Sequence, residues 1–160
     1  MIIIVMGVAG SGKTTIGSLL ASELEWKFYD ADNFHSESNR EKMSLGIALN
    51  DADRAGWLIT LKELIAENIQ QNISAVLACS ALKDSYRNTL KVDQQVKFIY
   101  LKGTYEQIKI RLNKRIGHFM SAGMLDSQFD TLEEPQNTLT IDIAHTPQEI
   151  ISIIRKGFNL

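Results

Sequence analysis

Short apolar runs alternate with longer amphipathic stretches along the 160 residues. Runs rich in β-branched and aromatic residues predict strands at Ile2–Met6, Lys27–Ala31, Ser74–Cys79, Val96–Leu101 and Thr138–Ile143. Helical spacing predicts helices at Lys13–Leu24, Asp53–Gln71, Asp84–Leu90, Tyr105–Arg115 and Pro147–Lys156. In the longest of these, Trp57, Leu58, Leu61, Leu64, Ile65 and Ile69 recur on one face and read as core contacts. Strands alternating with helices imply crossovers, hence a parallel sheet covered on both faces. Ligands of such sheets bind beyond the carboxyl ends of the strands, so whatever follows each strand carries the interest.

Two connections are longer and more polar than a link requires, Asp32–Asp53 and Ile116–Asn137, and these predict substrate-binding pieces or a lid. There is no internal repeat and no low-complexity segment. Pro135 and Pro147 mark loop and helix starts rather than a linker, so the expectation is one domain over 1–160 with a lid near 116–137.

The net charge of −2, with cations scattered rather than blocked, argues against a nucleic-acid partner. No apolar run reaches the roughly 18 residues of a membrane span, and the five-residue apolar start leads into a glycine loop, so it is not expected to be a signal peptide. One cysteine, Cys79, cannot form an intramolecular disulfide and reads as a small buried hydrophobe. The expectation is a cytoplasmic protein.

Directly after the first strand, Gly7-Val8-Ala9-Gly10-Ser11-Gly12-Lys13-Thr14 fills every fixed position of the P-loop pattern G-x-x-x-x-G-K-[ST], and a helix starts at Lys13. Such a loop folds its N–H groups into a concave nest for phosphate oxygens, helped by the positive end of the helix. Lys13 would reach the β- and γ-phosphates, and the Thr14 hydroxyl would coordinate Mg²⁺. ATP and Mg²⁺ are the expected cofactors, with Thr15 beside the phosphates.

Asp30 and Asp32 are two apart, so on an extended chain their carboxylates share a side. One suits the metal, through water, and the other the proton of an attacking hydroxyl; alternatively, one caps the next element. His35, Arg40, Lys42 and Arg54 follow. The cations could clamp an anion or form a solvated helix face, and Asn50–Arg54 also reads as a helix cap. Ser80 ends an inner strand beside Lys83 and Arg87, as a metal or substrate hydroxyl or as a cap. That strand lacks a Walker-B aspartate, which disfavours a motor ATPase or GTPase. Arg111 and Arg115, one helical turn apart before Gly117, could bring an arginine over the transferring phosphoryl, or be a surface basic face.

Taken together, Gly7–Thr14, Asp30-Ala31-Asp32, Asn39-Arg40-Glu41-Lys42-Met43, Leu49–Leu58 and Cys79–Lys83 with Tyr86-Arg87 resemble gluconate kinases. So do Phe98–Gly103, Arg115–Phe119, Met124–Phe129 and Leu132–Pro135. The resemblance spans about residues 2–145, and its Leu-Asn-Asp-x-Asp-Arg and Cys-Ser-Ala-Leu-Lys blocks are more specific than the P-loop. It implies a three-layer αβα P-loop kinase fold with sheet order 2-3-1-4-5, a homodimer, and ATP-dependent phosphorylation of D-gluconate at the 6-hydroxyl. It also implies Asp32 as base, Asp30 in the metal's outer shell, Lys13 and Arg115 on the phosphates, and Arg111 on adenine. Acceptor contacts would come from Asp32, His35, Arg40, Lys42, Arg54, Ser80, Lys83, Arg87, His118 and Gln128. Rival readings are a kinase of a shikimate-like acid, an adenylylsulfate or a nucleoside monophosphate, and a nucleotide-gated binding module.

Overall fold

The computed structural model describes residues 1–115 and 122–160. Five parallel strands, β1 (Ile2–Met6), β2 (Lys27–Asp30), β3 (Ala75–Ala78), β4 (Val96–Lys102) and β5 (Leu139–Asp142), lie in the order β2-β3-β1-β4-β5. Helices α1 (Lys13–Leu24), α2 (Glu37–Ser44), α3 (Asp51–Gln70), α4 (Asp84–Leu90), α5 (Tyr105–Lys114), α6 (Ala122–Thr131) and α7 (Pro147–Phe158) surround the sheet. This is the expected three-layer αβα architecture with the expected strand order.

Strand β1 lies between β3 and β4, and every one of its residues is buried. Its pleat divides the core. Ile3 and Val5 face Ile16 and Leu20 of α1 and Ile150 and Ile154 of α7. Ile2, Ile4 and Met6 face Trp57, Leu61 and Ile65 of α3 and Leu90 of α4. Alternate residues of a strand point to opposite faces, so a run without polar interruption is what a central strand needs.

Parallel register aligns the strand ends that matter. Asp30 pairs with Ala78, Ala78 with Val5, and Met6 with Tyr100. The glycine loop, the segment after β2 and the segment after β3 therefore emerge side by side from one edge of the sheet.

The predicted elements differ from the observed ones mainly at their ends. Strand β2 stops at Asp30 because the Asp30 carboxylate accepts the Asp32 N–H (3.0 Å) and turns Ala31–Phe34 into a 3₁₀ helix. Helix α3 starts at Asp51, earlier than expected, behind a capping box in which Asn50 and Asp53 each accept the other's N–H (2.8 and 3.0 Å). The two long connections contain helices of their own, α2 and α6. Among the described residues, no helix is long and apolar enough to cross a membrane.

Candidate active site

The glycine loop leaves the buried end of β1 through Gly7, whose φ of +152° sets the turn. A Cβ there would come within 2.9 Å of the Leu101 carbonyl oxygen and 2.6 Å of the Ser11 hydroxyl, so only glycine fits. Gly12, at φ +99°, delivers the chain into α1 in a left-handed conformation. Val8 and Ser11 are buried, so the loop can meet a ligand there through backbone groups.

Lys13 folds back to donate to the Val8 carbonyl (3.0 Å). Burial lowers its pKa, while the carboxylate of Asp32 works in the opposite direction. Thr14 donates its hydroxyl proton to Asp30 Oδ2 (2.9 Å), joining the P-loop helix to the end of β2. Asp32 lies in the 3₁₀ turn, so the two aspartates do not share a face by strand alternation as expected. They converge because the turn folds back. Burial, and then the charge of Asp30, raises the Asp32 pKa, with Lys13 opposing.

Two cavities open at this edge. One, of about 440 Å³, is lined by the glycine loop, Thr14, Thr15, Asp30, Arg111 and Arg115. The other, of about 550 Å³, is lined by His35, Arg54, Trp57 and Gln128, and by the loop that follows α2. Ala9, Lys13, Asp32 and Ser80 line both, so these four residues form the wall through which the cavities communicate. Both volumes suit small ligands.

The structure gathers Asp32, His35, Arg54, Ser80 and Gln128 around the larger cavity, as expected of acceptor contacts. It does not bring four other predicted contacts to that wall. Arg40 donates to the carbonyls of Asn33 (2.6 Å) and His35 (3.3 Å), pinning the turn between them. Lys42 pairs with Asp53 at 2.8 Å, and Lys83 with Asp51 at 2.8 Å. Arg87 is buried and donates to the carbonyls of Ala81 (2.8 Å), Leu82 (3.1 Å) and Glu133 (2.8 Å), fastening the chain after α6 to the β3–α4 loop. These three bonds tie the Arg87 guanidinium to the main chain away from the larger cavity. His118 lies outside the described residues. Arg111 lines the smaller cavity and also donates to the Ile143 carbonyl, which fixes its position beside Gly12.

Some participants escape a sequence reading. The spacing of Trp57 places it in the core, and it is buried. Yet its indole N–H donates to the Ala31 carbonyl (2.7 Å) and its ring stacks on His35 (centroids 4.3 Å apart), so it also shapes the larger cavity. Lys114 joins the smaller cavity. The residues after α2, among them Leu45 and Ile47, line the larger cavity while largely exposed, and they carry no periodicity that could announce them. Across the same cavity, the Gln128 amide oxygen of α6 accepts the Ala9 N–H of the glycine loop (3.1 Å).

A P-loop facing an acidic turn, with a second cavity across a shared wall, defines a small P-loop kinase. The shikimate kinase family profile matches residues 9–148. The chain is 42% identical to a probable gluconokinase of Mus musculus, covering 98% of this chain and 96% of the relative. It is 45% identical to the thermosensitive gluconokinase of Escherichia coli K12, over 89% of this chain and 79% of the relative. A crystal structure of a gluconokinase from Sinorhizobium meliloti 1021 superposes with a TM-score of 0.90 at 36% identity, covering 98% of this chain and 90% of that one. The chain belongs to the gluconokinase family.

Proposed function

We propose that the protein transfers the γ-phosphoryl group of ATP to the 6-hydroxyl of D-gluconate, giving 6-phosphogluconate and ADP. The observation that carries this reading is the wall shared by the two cavities: Lys13 and Asp32 line both, which suits a nucleotide in one and an acceptor in the other. The smaller cavity takes ATP, its phosphates against the glycine-loop N–H groups, Lys13, Thr15 and Arg115, with Arg111 beside the adenine. The larger takes the sugar acid. Among the described lining side chains, Arg54 is the cation away from the P-loop and suits the carboxylate, while His35, Ser80 and Gln128 suit hydroxyls.

Asp32 accepts the proton of the 6-hydroxyl as that oxygen bonds to the γ-phosphorus and the bond to the bridging oxygen of ADP breaks. Its raised pKa makes it a better base than an exposed aspartate. Lys13 and Arg115 neutralise the charge on the transferring group. The oxygen pair of Thr14 and Asp30 fits Mg²⁺, a hard cation that keeps waters and phosphate oxygens as its other ligands and would supply further charge neutralisation. The dimer and the cytoplasmic location belong to this reading too; the buried thiol of Cys79 fits a reducing compartment, and size-exclusion chromatography tests the dimer.

Coupled ADP release with Mg-ATP, read against D-gluconate, its epimeric sugar acids, shikimate, AMP and no acceptor, tests the proposal. Turnover confined to gluconate supports it. Turnover on another acid keeps the kinase and replaces the acceptor; ATP binding without turnover on any member leaves a nucleotide-gated module.

A further inference from the structure

We propose that Asn39 is a positioning residue for the acceptor: it holds His35 as the neutral Nε2–H tautomer, so the ring offers a single hydrogen-bond donor to one hydroxyl of the sugar acid. This rests on reading the larger cavity as the acceptor site.

Asn39 is buried on α2, and its amide nitrogen meets two groups, the Asp53 carbonyl oxygen at 2.7 Å and His35 Nδ1 at 3.3 Å. A carbonyl oxygen can only accept. The amide nitrogen must therefore face Asp53, because the flipped amide would set oxygen against oxygen. That fixes a donor toward His35 as well, and Nδ1 has to answer with its lone pair. The ring's proton then sits on Nε2, to which no described residue bonds. His35 lines the larger cavity, so Nε2–H is the polar group left to it for a ligand.

Other contacts prevent the ring from escaping this arrangement. Trp57 stacks on it at an interplanar angle of 13°, and the indole is itself tied to the Ala31 carbonyl. Arg40 holds the His35 carbonyl and, with it, the backbone from which the ring projects. A second proton on Nδ1 would collide with the Asn39 N–H. Burial opposes a cation too, and with the charges that face the ring, Arg54 from α3 and Arg40 from α2, it pushes the pKa down to about 4.

The chemical consequence is selectivity. A cationic histidine would compete with Arg54 for the carboxylate and let the acid bind in more than one direction. A neutral donor leaves the carboxylate to Arg54 and asks for an oxygen at one place. A buried donor left unpaired by an acceptor lacking that hydroxyl costs binding, which is how polar sites discriminate.

The test combines NMR with kinetics. In the ¹⁵N-labelled protein at pH 7, the His35 ring nitrogens should report the Nε2–H tautomer, and the ring should stay neutral to about pH 5. Asn39→Asp replaces the donor with an acceptor and should move the proton to Nδ1 or raise the pKa above 6. The same variant should raise KM for gluconate about tenfold or more, while KM for ATP and saturated kcat move within about threefold. His35→Gln, which can still donate, should recover most of the affinity that His35→Leu loses.

An Nδ1–H tautomer in the wild-type protein overturns the proposal. So does an unchanged KM in an Asn39→Asp protein whose ring state has demonstrably changed. Should Asn39→Asp not fold, Asn39→Ser with the same readouts decides in its place. Failure of the underlying acceptor reading looks different: the tautomer is as expected, but His35→Leu leaves KM for every sugar acid unmoved.

Discussion

The Arg54 guanidinium donates to the Tyr86 phenol oxygen at 3.1 Å, and Tyr86 donates onward to the Asp51 carboxylate. Lys83 closes the group by pairing with the same carboxylate. Arg54, a cation of the larger cavity, is therefore aimed from behind by a chain of hydrogen bonds. Arg54→Met should raise KM for gluconate about a hundredfold, the scale of a lost charge-assisted contact, with KM for ATP little changed. Tyr86→Phe keeps the charge but loosens its aim and should cost less, about three- to tenfold in KM. Steady-state kinetics with each substrate varied separately checks both.

If Lys13 neutralises the transferring phosphoryl as proposed, Lys13→Ala should lower kcat by about a hundredfold or more. The fold should survive, since Lys13 contributes one hydrogen bond to its own loop. Near-normal turnover in a folded variant would remove the nucleotide assignment of the smaller cavity.

Asp32→Asn should abolish transfer while ATP still binds, as calorimetry would show. In the wild-type protein the Asp32 carboxyl should titrate above the ordinary aspartate value, because burial and the neighbouring Asp30 both disfavour its charge. Asp30→Asn removes one of those causes and should bring the Asp32 pKa down, an effect to be read by carboxyl ¹³C NMR.

His35 makes the stability pH-dependent in a defined window. Its pKa is about 4 in the folded protein and 6.5 ordinarily, so between those values the unfolded chain binds a proton that the folded chain refuses. The contribution is complete above pH 6.5 and is lost as the pH falls toward 4. On moving from pH 7 to pH 5, the wild-type protein should lose more Tm than His35→Gln does. Equal losses would mean that the ring is not held neutral.

Arg87→Met should destabilise the protein by roughly 2–4 kcal/mol, since the carbonyls of Ala81, Leu82 and Glu133 lose their donor in a buried place. Ala81 adds to the dependence, for it sits at φ +44°, a conformation that a non-glycine residue holds only under restraint. Chemical denaturation measures the loss. An unchanged midpoint, with a raised KM for gluconate, would return Arg87 to the substrate.

Most of the fold and half of the site were legible in the chain itself. Ile2–Met6 reads as a strand buried on both faces, and the glycine pattern behind it reads as a phosphate loop, because both depend on local rules of burial and backbone freedom. That pattern also fixes the positions of Lys13 and Thr14, whereas Asp30 and Asp32 meet through the 3₁₀ turn and not through strand alternation. The segment after α2 was not legible, since an irregular cavity wall has no period to display.

The sequence by itself determined the order of strands and helices, the nucleotide site and the inventory of charged groups. Only the tertiary structure decided what each charge does. Arg40, Lys42, Lys83, Arg87 and Arg54 are all cations beside the same chemistry, and nothing in their types separates them. What separates them is which acceptor lies within about 3 Å once distant segments meet. For Arg87 these include a carbonyl 46 residues away, for Lys42 a carboxylate 11 residues away, and for Arg54 a phenol that leaves it facing the cavity. Hydrogen bonds are short-ranged, so the role of a long cationic side chain is settled by its neighbours in space rather than in the chain.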